Sequence, residues 1–122
     1  MERDIFLHKK GARHPEALNP DYWAIDAHAF SIEAKRVFMS RLFMNLTTNI
    51  QHYPKWTAFL KERQPKALIL WGQNDPLFTA GAPEALKQAL PAAELHSFDG
   101  GHFVLDEYAD AIAKAIIGTF TR

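Results

Sequence analysis

Ala67-Leu-Ile-Leu-Trp71-Gly-Gln-Asn-Asp75-Pro76 is an apolar run that ends in a turn, and Gly100-Gly101-His102-Phe103 is the turn that closes the next apolar segment. Read as strands, the two segments deliver a carboxylate, Asp75, and an imidazole, His102, from their carboxyl ends. Between them, Pro83 stands where the first turn of a helix accepts proline, with Ala85, Leu86, Ala89 and Leu90 at helical spacing behind it. Pro91 ends that helix, and Ala93-Glu-Leu-His-Ser-Phe98 supplies the second strand. A strand, helix, strand unit with a connection of this length makes a parallel crossover, and parallel neighbours lie about 4.8 Å apart with their carboxyl ends on one side. Asp75 and His102 then leave the sheet together, at the edge where open α/β sheets place their sites. The expected fold class is α/β.

A carboxylate that orients a histidine is two thirds of a nucleophile-activating constellation. Histidine suits the general-base role because its unperturbed pKa of about 6.5 lies near working pH, and a buried carboxylate fixes its tautomer. The third member is missing. Ser31, Ser40 and Ser97 lack the glycine-flanked strand-to-helix turn that an exposed nucleophile needs, so capping or surface roles are expected of them. Asp75 in Asn-Asp-Pro is also a good turn former on propensity alone, and it is the downstream histidine that tips the reading towards chemistry. His96 alternates onto a strand face beside Glu94 and Phe98 and reads as packed or half-exposed. His8, His14, His28 and His52 have no metal-ligand spacing, and no metal or organic cofactor is expected. Trp23, Trp56 and Trp71 read most simply as core or helix-interface residues.

Working outward, Ala109, Ile112, Ala113, Ile116, Ile117 and Phe120 trace one face of a helix beginning near Asp106, which is expected to cover the sheet. Upstream, Asn19-Pro20-Asp21 is a helix start, with a capping side chain, a proline and an acid in the first turn, leading into Tyr22, Trp23, Ile25 and Phe30. Ser31 is expected to cap a second, longest helix in which Val37, Phe38, Arg41, Leu42, Asn45, Leu46, Asn49 and Ile50 recur at helical spacing, leaving Lys35 and Arg36 to solvent and stopping before Pro54. A short third helix follows from Lys55 to Arg63. Residues 1–18, with mixed charge, Gly11 and Pro15, show no sustained period and read as an irregular or partly mobile lead without catalytic content. The organisation is thus a lead over 1–18, a helical segment over 19–63 and a β-α-β-α segment over 64–122, forming one folding unit.

Composition excludes several classes. The chain has 122 residues, is 48% hydrophobic and carries no formal net charge, so no basic field attracts nucleic acid or an anionic membrane surface. It has no cysteine, hence no disulfide framework and no thiolate chemistry. The amino terminus lacks the apolar stretch of a secretory signal, and no window approaches the roughly 18 apolar residues of a membrane span. A cytoplasmic location and a small-molecule or protein partner are expected.

Leu68-Ile-Leu-Trp-Gly-Gln-Asn-Asp75-Pro-Leu-Phe78, Leu90-Pro-Ala-Ala-Glu-Leu-His96 and Asp99-Gly-Gly-His102-Phe-Val-Leu-Asp-Glu107 together resemble the carboxyl-terminal part of an α/β-hydrolase. Leu18-Asn-Pro-Asp-Tyr-Trp23 and Asn49-Ile-Gln-His-Tyr-Pro-Lys-Trp56 resemble the cap-to-core return of the branch that includes haloalkane dehalogenases and epoxide hydrolases. The resemblance runs from about residue 18 to the end. It implies a partial α/β-hydrolase fold with Asp75 as the triad acid and His102 as the base, and with Phe78, Trp71 and Phe103 beside a substrate pocket that the helices of residues 20–63 line or cover. It also implies hydrolysis of an ester, epoxide or carbon-halogen bond. Family members carry a nucleophile elbow, Gly-x-Ser-x-Gly or an aspartate equivalent, before the acid, and residues 1–66 contain none. Where capped relatives often have an acidic-aromatic-basic cluster, this chain reads Phe43-Met-Asn-Leu-Thr-Thr48. The expectation is a segment inactive by itself. The alternative is a non-catalytic module that keeps these turns for folding. Because two parallel strands alone leave an open edge and an unburied face, either reading expects self-association or docking to an amino-terminal hydrolase half, burying apolar surface around Ile69 and Trp71.

Overall fold

The β-branched and bulky run after Ala67 forms strand β1 (Leu68–Gly72), and the alternating segment after Ala93 forms β2 (Glu94–Phe98). They pair in parallel in register from Leu68 with Glu94 to Gly72 with Phe98. In the computed structural model, which describes residues 8–78 and 81–121, these two strands are the only sheet among the described residues. The helices, in chain order, are α1 (Asp21–Ser31), α2 (Glu33–Asn45), α3 (Thr47–Arg63), α4 (Gly81–Ala89) in the crossover, the short α5 (Val104–Glu107) and α6 (Ala109–Phe120). Ile69, Leu90 and Ala93 form the core between sheet and crossover helix, with Leu60, Ala67 and Leu95 packed around them. Gln64, in the left-handed region at φ 43°, ends α3, and its side-chain amide donates to the carbonyls of Leu60, Lys61 and, across the gap, Ala89.

Several expectations change. Ser31 does not cap the second helix: its hydroxyl donates back to the His28 carbonyl, and Ile32 takes the extended cap position instead. Arg36 is not merely solvated, because its guanidinium donates to the carbonyls of Phe30 and Ser31 at the end of α1. The long helix breaks at Leu46 rather than before Pro54. There the hydroxyls of Thr47 and Thr48 donate to the carbonyls of Met44 and Asn45, competing with the ladder, while Pro54 lies inside α3. Since α3 is open to water at that turn, the carbonyl that Pro54 leaves without an N–H partner stays hydrated, and one lost bond does not end the helix.

The lead is tied down over its described part: His8 and Leu18 are buried, and residues 10–14 pack against the turns that follow both strands. Residues 1–7 lie outside the described residues. At the other end the helix divides into α5 and α6 at Tyr108, so it starts earlier than Asp106. The face of α6 that meets the sheet carries Ile112 and Thr119, both buried, with the Thr119 hydroxyl donating to Glu94. Ile116, Ile117 and Phe120, expected to cover the sheet, are 44%, 60% and 51% exposed. Ile69, expected at an open surface, is buried. No large side chain among the described residues is fully buried. The accessible surface is 8955 Å², whereas a compact monomer of this mass exposes about 6,700 Å².

Candidate active site at the carboxyl edge of the strands

Asp75 stands in the turn after β1, where the backbone N–H of Asp75 donates to the Gly72 carbonyl. Its own Oδ1 accepts from the N–H groups of Leu77 and Phe78 at 2.7 and 3.1 Å, a local turn that Asn-Asp-Pro sequences favour. That leaves Oδ2 aimed at His102 Nδ1, 2.9 Å away. The Asp75 side chain is 8% exposed and the His102 side chain 28%. Burial by itself raises the Asp75 pKa. The His102 hydrogen bond, the two backbone N–H donors and the charge of the imidazole together outweigh it, and the carboxyl titrates below its ordinary value. An ionised Asp75 only accepts, so the proton on this bond belongs to His102 Nδ1 and the remaining nitrogen, Nε2, faces away from the acid.

Gly72 is where the strands and turns meet. A Cβ there would lie 2.1 Å from the Gly101 carbonyl oxygen and 2.7 Å from that of Gly100, so only glycine lets the His102 turn close over the end of β1. The turns are stitched further by Gln73 N–H to the Phe98 carbonyl and Asn74 N–H to the Gly100 carbonyl, both 3.0 Å. Asn74 also donates through its side chain to Asp99 at 2.8 Å.

Phe78, Trp71 and Phe103 surround this pair. Phe78 lies 5.5 Å from the His102 ring and 6.4 Å from Trp71, and Phe103 meets His102 edge-on at 5.2 Å. Trp71 and Phe78 line a cavity of about 240 Å³ that Asp75 and His102 also reach. The buried Trp71 indole N–H has no acceptor among the described residues. Phe103 instead faces a second cavity of about 340 Å³, mostly apolar, whose other walls include His8, Asp26, Phe30, Met39 and Leu77 as well as His102. Asp26 and Phe30 of α1 and Met39 of α2 stand on this cavity's wall, and no residue of α3 does.

His8 and Asp26 were not legible as site residues. His8 stacks on Phe103 with ring centroids 4.4 Å apart, and its Nε2 lies 3.7 Å from Asp26. Neither stands in a motif, and the sequence signal that Phe103 follows the base says nothing about what stacks on it. His96, by contrast, is half-exposed beside Glu94 at 3.5 Å. Among the described residues no group of three histidine, aspartate or glutamate side chains is placed to hold a metal, and no helix is long and apolar enough to cross a membrane.

The parallel strand pair presents a carboxylate-bound imidazole at its carboxyl edge, beside an apolar cavity, in an α/β arrangement. The family model for the alpha/beta hydrolase fold matches residues 7–109. The chain belongs to the α/β-hydrolase fold family. It is 30% identical over 107 residues to an uncharacterized hydrolase of Saccharomyces cerevisiae, covering 88% of this chain and 37% of that protein. It is 28% identical over 85 residues to a 2-hydroxy-6-oxononadienedioate/2-hydroxy-6-oxononatrienedioate hydrolase of Paraburkholderia phymatum, covering 69% of this chain and 30% of the relative. A hydrolase of the same name from Dechloromonas aromatica is 27% identical over 90 residues, 73% of this chain and 31% of the relative. The chain thus spans about a third of the curated relatives it matches. No solved structure gives a significant match.

Proposed function

We propose that the chain is the acid-base portion of a capped α/β-hydrolase, with Asp75 orienting His102 and His102 activating a nucleophile, or the water that follows it, in hydrolysis of an ester, epoxide or carbon-halogen bond. The observation that carries the reading is the 2.9 Å bond between the buried Asp75 carboxylate and His102 Nδ1, made at the edge of an apolar cavity. His102 Nε2 takes the proton of the attacking group, and the imidazolium is stabilised by the ionised acid. The nucleophile and the donors for the developing oxyanion come from sequence outside residues 1–122. Helices α1 and α2 act as the cap-derived wall, with Phe30 and Met39 against the substrate's apolar part. Trp71 and Phe78 flank its reacting end.

Docking to an amino-terminal hydrolase half is supported by the open edge of β1 and, on α6, by the exposed Ile116, Ile117 and Phe120. The surface in excess of a compact monomer, about 2,000 Å², is of the size a stable interface buries. Self-association would cover the same face without supplying a nucleophile.

Complementation tests the reading. The chain is mixed with an amino-terminal α/β-hydrolase half carrying a Gly-x-Ser-x-Gly or Gly-x-Asp-x-Gly elbow, and short p-nitrophenyl esters, epoxides, haloalkanes and 2-hydroxy-6-oxononadienedioate are assayed. Turnover should require both halves and vanish with His102→Ala or Asp75→Ala. A complex that forms but turns over none of them, or one that is indifferent to His102→Ala, would leave the non-catalytic module as the better account. Turnover by the lone chain would place a nucleophile within it.

A further inference from the structure

The carboxylate of Glu107, at the end of α5, gathers three backbone N–H groups, two from a remote segment and one from the turn six residues before it. Oε2 accepts from Arg13 at 2.6 Å and His14 at 2.8 Å, and Oε1 accepts from Gly101, the residue before His102, at 3.1 Å. The segment it holds is wedged between the two turns that carry the acid and the base. A Cβ on Gly11, which sits at φ 83°, would meet the Asn74 carbonyl oxygen at 2.1 Å, and one on Gly101 would meet the Lys10 carbonyl oxygen at 2.7 Å. Asn74, beside Asp75, donates to the Gly11 carbonyl at 3.3 Å, and Arg13 lies 3.7 Å from Asp99. Residues 10–14 therefore touch both turns, and one ionic group fastens them.

Resting on the acid-base reading above, we infer that Glu107 is a positioning residue: through the 10–14 segment and Gly101 it fixes the His102 turn against the Asp75 turn. The physical reason is the kind of bond. A carboxylate that accepts several N–H groups makes charge-assisted bonds, stronger and shorter than neutral ones, and it can hold backbone that has no secondary structure of its own. Residues 99–103 between β2 and α5 are such backbone, and so are residues 11–14. Glu107 lines neither of the two cavities at His102, so its effect on the site passes through Gly101 and the wedge.

The test uses the full chain and needs no turnover. In Glu107→Gln, amide hydrogen exchange at Arg13, His14 and Gly101 should quicken by about tenfold or more. The proton resonance of His102 Nδ1–H should broaden as the bond to Asp75 is broken more often. Asp110→Asn, the same charge change on exposed helix α6, should leave both unchanged. If Glu107→Gln fails to fold, Glu107→Asp decides, since it keeps the charge but draws the carboxylate back by one methylene from Arg13, His14 and Gly101 and should broaden the same resonance more mildly. A His102 resonance as sharp as in the unmodified chain, in whichever variant folds, would reduce Glu107 to a structural clasp. Unchanged amide exchange would remove even that. A resonance missing from the unmodified chain would count against the Asp75–His102 pair itself, a separate failure.

Discussion

Asp75→Asn separates the charge of the acid from its shape. In the folded chain Oδ1 holds the Leu77 and Phe78 amides and Oδ2 holds His102 Nδ1. Asparagine keeps its carbonyl oxygen on the two amides, because an NH₂ there would face two donors, and so turns its NH₂ towards His102. The histidine must then present a lone pair at Nδ1 and carry its proton on Nε2, the nitrogen that has to accept one. Two charge-assisted bonds become neutral and the ionic part of the third is lost, which at about 0.5–1 kcal/mol for each amounts to about 2 kcal/mol. For 122 residues that corresponds to a fall in Tm of about 8 °C. The pH dependence carries the sign. A carboxyl whose folded pKa is depressed contributes stability that is present above its ordinary value near 3.8 and is lost as pH falls through the folded value. Urea unfolding should therefore find the two proteins about 2 kcal/mol apart between pH 5 and 7 and converging below about pH 4. In a complemented enzyme, activity should fall on the order of 10⁴-fold at neutral pH. A stability gap as wide at pH 3 as at pH 7 would refute the ionised, His102-bound carboxylate.

Other substitutions probe the frame. Gly72→Ala drives a methyl into two backbone carbonyls of the His102 turn and should cost about 3 kcal/mol in urea unfolding, where a loss under about 1 kcal/mol would mean that the turns are not in contact. Ile69→Ala empties part of the small core against Leu90 and Ala93 and should cost about 2 kcal/mol, the low end for such a change because neighbouring groups are only partly enclosed. Ile117→Asp with Phe120→Asp, on the exposed face of α6, should leave stability within about 0.5 kcal/mol yet weaken complementation and lower the apparent mass by light scattering. Unaltered complementation would remove α6 from the proposed interface.

What could be read from residues alone follows from how local each signal is. The parallel strands, the crossover helix and the meeting of Asp75 with His102 rest on period, proline placement and turn chemistry within residues 67–103, and all of these are short-range. Helix ends were read less well, because hydroxyls of Ser31, Thr47 and Thr48 chose carbonyls three residues back over capping or continuing a ladder. Glu107 was invisible in its role since its partners Arg13 and His14 lie more than 90 residues away and offer only backbone. His8 was passed over for a similar reason: its neighbours Phe103 and Asp26 are brought to it by the fold. The apolar stripe on α6 is legible from its spacing, but of its large residues only Ile112 is buried against the chain, and Ile116, Ile117 and Phe120 are exposed. Periodicity identifies an apolar face without saying what lies against it.

The site turns on His102 offering its Nδ1 proton to an ionised Asp75. Nitrogen-15 and proton NMR of the histidine-labelled chain at neutral pH measures this directly. The account predicts a protonated His102 Nδ1 whose proton resonates far downfield and vanishes in Asp75→Asn. A His102 with a bare Nδ1 and its proton on Nε2, unaffected by Asp75→Asn, would contradict it.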